Sequence, residues 1–337
     1  MSEIIIQNLI SPVVLFFLLG IIAATFKSDL QFPKGLTEAL SMYLLIAIGI
    51  KGGIELSHYH LEAVIGPVIG TIFLGMLIPV IVLMITRLFM KVDLKNSIAL
   101  AATYGSTSIV TYGAAVSFLE KSGTTYEGFM NAMVVLKESP AILVSLLLLS
   151  IIERQQAVPT TLSSKREGIV SGHQGLIDKE VLKESFFGKS IILLLGSLII
   201  GLVVGERAIP MVQPLFIDLY QSVLILFLLY MGLTVGERLP EVKKHGIKLI
   251  LFGVLTPILL GALGVLVGTL VGLSVGGATL MGILAGSASY IAAPAALRTS
   301  VPEANPSIYL GLSLGVTFPF NLIFGIPLYF EFAKLLH

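Results

Sequence analysis

The sequence predicts an all-α polytopic membrane protein: ten transmembrane helices arranged as two inverted five-helix repeats, with broken helices at spans 4 and 9. Three observations carry that expectation. Of 337 residues, 55% are hydrophobic and only 12% charged, where a soluble domain averages about 25% charged. The apolar residues fall into ten runs, most of them near the ~20 residues that cross a bilayer. The second five runs also echo the first at an offset of about 181 positions.

Span 1, Leu9–Phe26, follows the acidic start MSEIIIQNLI, which has no basic leader, so this run is expected to stay in the mature chain. Span 2 is Leu36–Ile54. Span 3, Ala63–Ile85, holds Pro67 and Pro79, and span 8, Ile247–Leu270, holds Pro257. These prolines predict kinks, because a helix-interior proline loses a hydrogen bond. Span 4, Ser97–Leu119, has Gly, Ser, Thr and Tyr at its centre, where a lipid-facing helix would carry Leu and Ile. Span 5, Phe129–Ile151, contains Lys137, Glu138 and Pro140. A long polar stretch, Glu153–Lys189, separates it from span 6, Ser190–Gly205. Span 7, Ser222–Val235, is short and extends back through Ile217. Span 9, Ala278–Leu297, repeats the small, polar centre of span 4, and span 10 is Ile308–Phe330. The chain thus divides into a first repeat at 1–152, a linker at 153–189 and a second repeat at 190–337.

The repeat rests on landmarks in four spans. Gly20 matches Gly201 and Gly105 matches Gly286, while small shifts match Gly49 with Gly232 and Pro140 with Pro319. The text around them agrees, GSTSIVTYGAA with GSASYIAAPAA most closely. Five spans per repeat is an odd number, so the second repeat enters the membrane inverted. Inverted repeats are a signature of secondary transporters, whose site lies near the midplane at the repeat interface.

Sidedness follows from the basic residues. The linkers after spans 1, 3, 5, 7 and 9 hold sixteen Lys and Arg and the other side holds four. This places the 153–189 segment in the cytoplasm and both termini outside the cell membrane, the inner membrane of a double-membraned cell.

Other classes are excluded by what is missing. The chain has no Cys and no Trp, so a disulfide framework or thiolate site cannot form. A net charge of +1 offers no nucleic-acid footprint. No GxxxxGK[ST] phosphate loop, no HExxH and no His within a span occur, which argues against a primary pump and against an enzyme. No cofactor is expected, and no metal beyond a coupling Na+.

The candidate site is the pair of small-residue centres. Gly105, Ser106, Thr107 and Ser108 in one half, with Gly286, Ser287, Ala288, Ser289 and Tyr290 in the other, are the expected substrate-binding residues. Breaks there would leave half-helix N-termini whose free amides and dipole favour an anion. The competing reading is that small residues merely let helices pack closely. Lys137 and Glu138, with Thr111 and Thr317, form the expected ion-coupling set. A charge at mid-membrane costs about 2.5 to 3.5 kcal/mol even on lenient scales and generally faces a cavity or partner. Pro140 is expected to disturb the helix and bring both charges toward one cavity. A buried ion pair that only locks spans together is the plainer alternative. His58 and His60 are read as outer-loop residues, and Arg298 is expected to tie the end of span 9 through Glu303.

These residues carry a resemblance. VPEANPSIYLG at Val301–Gly311, Leu297-Arg298, IGIKGG at Ile48–Gly53 and Met231-Gly232 resemble the sodium-dependent bicarbonate permease family over essentially the whole chain. The resemblance implies ten spans, a core moving against a gate, a homotrimer in the lipid bilayer, and sodium-driven uptake of an anion. The chain departs from the family pattern at three places. Ala288-Ser289-Tyr290 stands for a Ser-Ser-Asp run, Ser108-Ile109-Val110-Thr111 for Ser-Gly-Ser-Thr, and Lys137 precedes Glu138 where the family has an Asp before Ile-Pro.

The functional expectation is a secondary transporter of a small inorganic anion, bicarbonate by Na+ symport. One alternative moves another small anion or carboxylate, coupled to H+ or independent of sodium with Lys137 replacing the cation. Another is a channel or membrane sensor with a cytoplasmic regulatory protein docking on the 153–189 segment. Topology is testable directly. Because the chain holds no Cys, a single Ser57→Cys is expected to label only from outside and Ser171→Cys only from the cytoplasm. Labelling of Ser171→Cys in intact cells would overturn the inverted arrangement.

Overall fold

The computed structural model describes residues 2–33, 35–157, 188–244 and 246–337, and these form helices with no strand among them. In chain order the helices are α1 (Ser2–Leu9), α2 (Pro12–Thr25), α3 (Leu36–Leu56), α4 (Leu61–Phe89), α5 (Leu94–Gly105), α6 (Ile109–Lys121) and α7 (Met130–Ala157). Then come α8 (Lys189–Val204), α9 (Tyr220–Lys244), α10 (Gly246–Leu270), α11 (Val275–Gly286), α12 (Ala292–Ser300) and α13 (Pro306–Leu336). Six stretches among the described residues are long and apolar enough to cross a membrane, and α2 and α11 are shorter apolar helices. One of the six, Ile191–Arg238, runs for 48 residues. It is interrupted at Gly205 (φ 58°) and by short turns through Asp218. Of the linker expected at 153–189, residues 153–157 complete α7, Lys189 opens α8, and 158–187 lie outside the described residues.

Local chemistry sets the ends. Ser11, Asp93, Ser108 and Ser274 each accept a backbone N–H from the first turn they precede, at α2, α5, α6 and α11. The interior prolines stay within continuous helices, Pro67 and Pro79 in α4, Pro140 in α7 and Pro257 in α10. Long helices expose one apolar stripe and bury the other. On α4, Ile65, Ile69, Phe73 and Met76 are exposed at helical spacing, while Leu74, Ile78 and Val82 are fully buried. Such stripes suit contact with lipid.

The packing divides the helices into two groups. In one, α2 lies along α9 and α3 along α8, with α3 touching α9. In the other, α4 packs on α5 and α7, and α5 on α7. Here α10 packs on α11 and α13 and α11 on α13, so the second-half helices reproduce the first-half contacts. The first group depends on glycine. At the crossing of α2 and α9, a Cβ on Gly20 would stand 2.9 Å from Gly232 Cα. At the crossing of α3 and α8, one on Gly53 would stand 2.9 Å from Gly201 Cα. Each distance is shorter than carbon–carbon contact allows, so these backbones meet only because no side chain intervenes.

This contrast predicts stabilities. Gly196 on α8 has open space around its would-be Cβ. Gly53→Ala is expected to destabilise by about 1 to 3 kcal/mol through overpacking. Gly196→Ala is expected to be neutral or to stabilise by roughly 0.5 to 1 kcal/mol through helix propensity. Thermal unfolding in detergent measures both, and equal midpoints for the two variants would contradict the tight crossing.

Candidate functional site

Two broken helices meet at the centre of the second group. Helix α5 ends at Gly105, Ser106 and Ser108 are extended, and α6 begins at Ile109. Helix α11 ends at Gly286, Ser287 is extended, and α12 begins at Ala292. Every residue from Ser97 to Gly105 on α5 and from Gly276 to Gly286 on α11 is buried, so both half-helices are enclosed on all faces. Close packing explains the glycines that end them. A Cβ on Gly105 would meet Pro79 Cγ at 2.6 Å, and one on Gly286 would meet the Tyr329 hydroxyl at 2.6 Å and the carbonyl of Pro257 at 2.9 Å.

The breaks are stitched to each other. Ser289 N–H donates to the Thr103 carbonyl at 2.8 Å. Ser108 N–H donates to Ser287 Oγ at 3.1 Å, and the Thr107 and Ser287 hydroxyls are 2.9 Å apart. Each break also supplies its own cap. Ser108 Oγ accepts from Thr111 N–H at 3.1 Å and from its hydroxyl at 2.8 Å, and Ser289 Oγ accepts from Ala293 N–H at 3.2 Å. The Ile109 and Val110 amides at the start of α6 have no acceptor within their helix by position.

A small cavity lies against these N-termini. Thr107, Ser108, Ile109, Glu138, Ser289 and Tyr290 line it, and its volume of about 20 Å³ holds about one water-sized group. A large vestibule of about 870 Å³, with Lys189, Arg238 and Arg298 on its wall, opens beside it. Leu45, Tyr290, Ile291 and Ala292 wall both spaces, so Tyr290 stands between them. Its ring packs edge-on against Phe318, with centroids 5.6 Å apart. Its hydroxyl lies beside Ser108, is buried and completes no hydrogen bond. Hydroxyls, a carboxylate and free amides on one small space can hold an anion at the amides and a hard cation at the oxygens.

The structure separates the two charges that the sequence placed together. Pro140 leaves α7 continuous, and Lys137 and Glu138 do not share a cavity. Glu138 lines the small cavity. Lys137, with no exposed surface, turns to the carbonyl end of α5, where its ammonium donates to the Gly105 carbonyl and, at 2.8 Å, to that of Ser106. Adjacent residues on a helix point about 100° apart, which is the reason. Thr111 is occupied in the α6 cap. Thr317 lies elsewhere, donating to the Gly253 carbonyl at 2.7 Å and accepting from Tyr104 OH at 2.6 Å. Gly105, Ser106 and Ala288 are buried at the breaks without lining the cavity. Glu303 lies 3.7 Å from Lys95 rather than tying Arg298.

Asn321, which the sequence leaves facing either the bundle or solvent, is fully buried at the second break. Its amide donates to the Gly286 carbonyl at 2.9 Å, and Tyr329 OH lies 3.0 Å from its Oδ1. A lone amide in the middle of an apolar run was the available signal.

No curated protein matches the chain. A family model described as the Na+-dependent bicarbonate transporter superfamily matches residues 12–334, and a transporter family implies a multi-pass membrane protein that is not an enzyme. With its helix breaks, enclosed polar cavity and a match over nearly its whole length, the chain belongs to the Na+-dependent bicarbonate transporter superfamily.

Proposed function

We propose that the protein is a secondary active transporter that imports a small inorganic anion, bicarbonate, through a site between the two helix breaks. The observation that carries this reading is that the N-termini of α6 and α12 both line one cavity beside a vestibule whose wall carries Arg238 and Arg298, with Lys189 there paired to Glu38. Their amides and dipoles favour a compact anion. The ten-span, inverted-repeat architecture draws support from the second-half contacts that reproduce the first. It also draws support from Ile191–Arg238, whose 48 residues would be about 70 Å long as a single helix, enough for two crossings of a ~30 Å core.

The vestibule lies at the end of α3 that carries Glu38 and the end of α9 that carries Arg238. The opposite ends are closed together. Lys51 of α3 pairs with Glu120 of α6 at 3.1 Å, and Gln221 of α9 donates to the same carboxylate at 2.7 Å. A second cavity of about 520 Å³, lined by Asn8, Ser117, Glu120 and Gln221 among others, lies at those ends, and the positive-inside count supports placing the vestibule on the cytoplasmic side. Movement of Tyr290 away from Phe318 would join cavity and vestibule, making room for an anion larger than one water.

Uptake of labelled bicarbonate into proteoliposomes tests the reading. Wild type is expected to concentrate the label, while Gly105→Leu and Gly286→Leu, which force bulk against Pro79 and Tyr329, are expected to insert yet lose most uptake. Wild-type uptake in both variants would contradict a site at the breaks. Tyr290→Ala is expected to admit larger carboxylates, read as stronger inhibition of bicarbonate uptake by acetate. Unchanged inhibition would remove Tyr290 from the selectivity boundary.

A further inference from the structure

The two breaks solve the same problem with different chemistry. A helix that ends in the membrane interior leaves carbonyls without intrahelical partners and carries partial negative charge there. At the end of α5, Ser106 N–H satisfies the Ala102 carbonyl and Ser289 N–H that of Thr103. The carbonyls of Gly105 and Ser106 then fall to the Lys137 ammonium. At the end of α11, Ser287 N–H satisfies the Ile283 carbonyl, and the Gly286 carbonyl is met by the uncharged amide of Asn321. The second break closes the one carbonyl left at its helix end with a neutral amide, while the first gives two carbonyls to a single ammonium. A buried ammonium is the costlier group, and it brings to the first break a positive charge that the second lacks.

Half-helix C-termini and unwound carbonyls are the groups that coordinate the coupling cation in transporters built on broken helices. We propose, resting on the anion-transport reading above, that Lys137 is a built-in cation. Its ammonium occupies the carbonyl end of α5, one residue before Thr107 of the anion cavity, and supplies there the positive charge that a bound Na+ would bring. The carrier then binds and moves its anion without sodium, and accumulation of the anion has to draw on another gradient, that of H+. The sodium dependence in the family's description is in this chain replaced by a covalent charge, and Glu138 is left as the carboxylate facing the cavity.

The test uses the full chain in two assays. In proteoliposomes, bicarbonate uptake is measured with Na+ and with choline in its place. In detergent, without bicarbonate, the melting temperature is followed as NaCl replaces choline chloride at constant ionic strength. A coupling ion changes its partner's affinity by about 5- to 150-fold. Wild type is expected to show less than about a fivefold effect of sodium on uptake and no saturable sodium shift in melting. Lys137→Gln, which keeps a neutral donor of the Asn321 kind, is expected to lose uptake in choline, regain it in sodium and melt higher as sodium rises. Lys137→Arg is expected to stay independent of sodium.

Wild type that depends on sodium by that factor, or that is saturably stabilised by it, overturns the proposal. So does Lys137→Gln with sodium-free uptake intact. If Lys137→Gln fails to fold, the wild-type arms decide alone. If no chain transports bicarbonate under either ion, the transport reading has failed, and the melting assay still decides the role of Lys137 independently.

Discussion

The structure depends on one constraint: every backbone polar group inside a bilayer needs a partner within the protein. Continuous helices meet it automatically, and two helices here are not continuous. Each break exposes amides on one side and carbonyls on the other, at a depth where water does not reach freely. The breaks answer by lying side by side, so that Ser289 N–H reaches Thr103 and Ser108 N–H reaches Ser287. What the stitches leave over is divided by sign. Carbonyl ends are closed by Lys137 and Asn321, while amide ends open on the cavity. The proposed anion site is thus the remainder of a backbone accounting problem.

Positioning that remainder explains much of the packing around it. The Pro79 ring packs on Gly105 and the Tyr329 hydroxyl on Gly286, leaving no room for a side chain at either break. Tyr104 and Thr317 connect α5 through α13 to the Gly253 carbonyl of α10, a buried link between the halves. The α2, α3, α8 and α9 group supplies the facing wall, and its glycine crossings hold those four helices close. Leu45 of α3 reaches both cavity and vestibule, so this wall bounds the small cavity with apolar side chains, while its Lys189 and Arg238 line the vestibule.

Much of this was legible in the sequence, because the signals were repeated. Gly-Ser centres in two spans, in register, marked both helix breaks, and the apolar runs located most of the helices, whereas α9 continues to Lys244 beyond the Val235 end of span 7 and α1 (Ser2–Leu9) precedes the first run. Residues whose role depends on direction were less legible. Lys137 and Glu138 are adjacent in sequence yet point in different directions from α7, and only three-dimensional contact shows that a four-carbon stem carries the ammonium to α5. Asn321 gave no repeated pattern, and Thr317 looks like a hydroxyl ligand until Tyr104 and Gly253 are seen to use both its bonds. Arg298 and Glu303, near in sequence, have different surroundings because Val301 and the turn after it redirect the chain. Periodicity reports which face is buried, not which group a polar atom meets there.

The central claim is that the anion sits at the N-termini of the two breaks and reaches them through the vestibule. Because the chain lacks Cys, Ala292→Cys places a single thiol on the wall shared by cavity and vestibule. The rate at which a small methanethiosulfonate reagent labels it, measured with and without bicarbonate, is the direct measurement. The account predicts labelling that bicarbonate slows in a saturable way, at concentrations that also saturate uptake. Labelling that bicarbonate leaves unchanged while uptake saturates would place the anion elsewhere and contradict it.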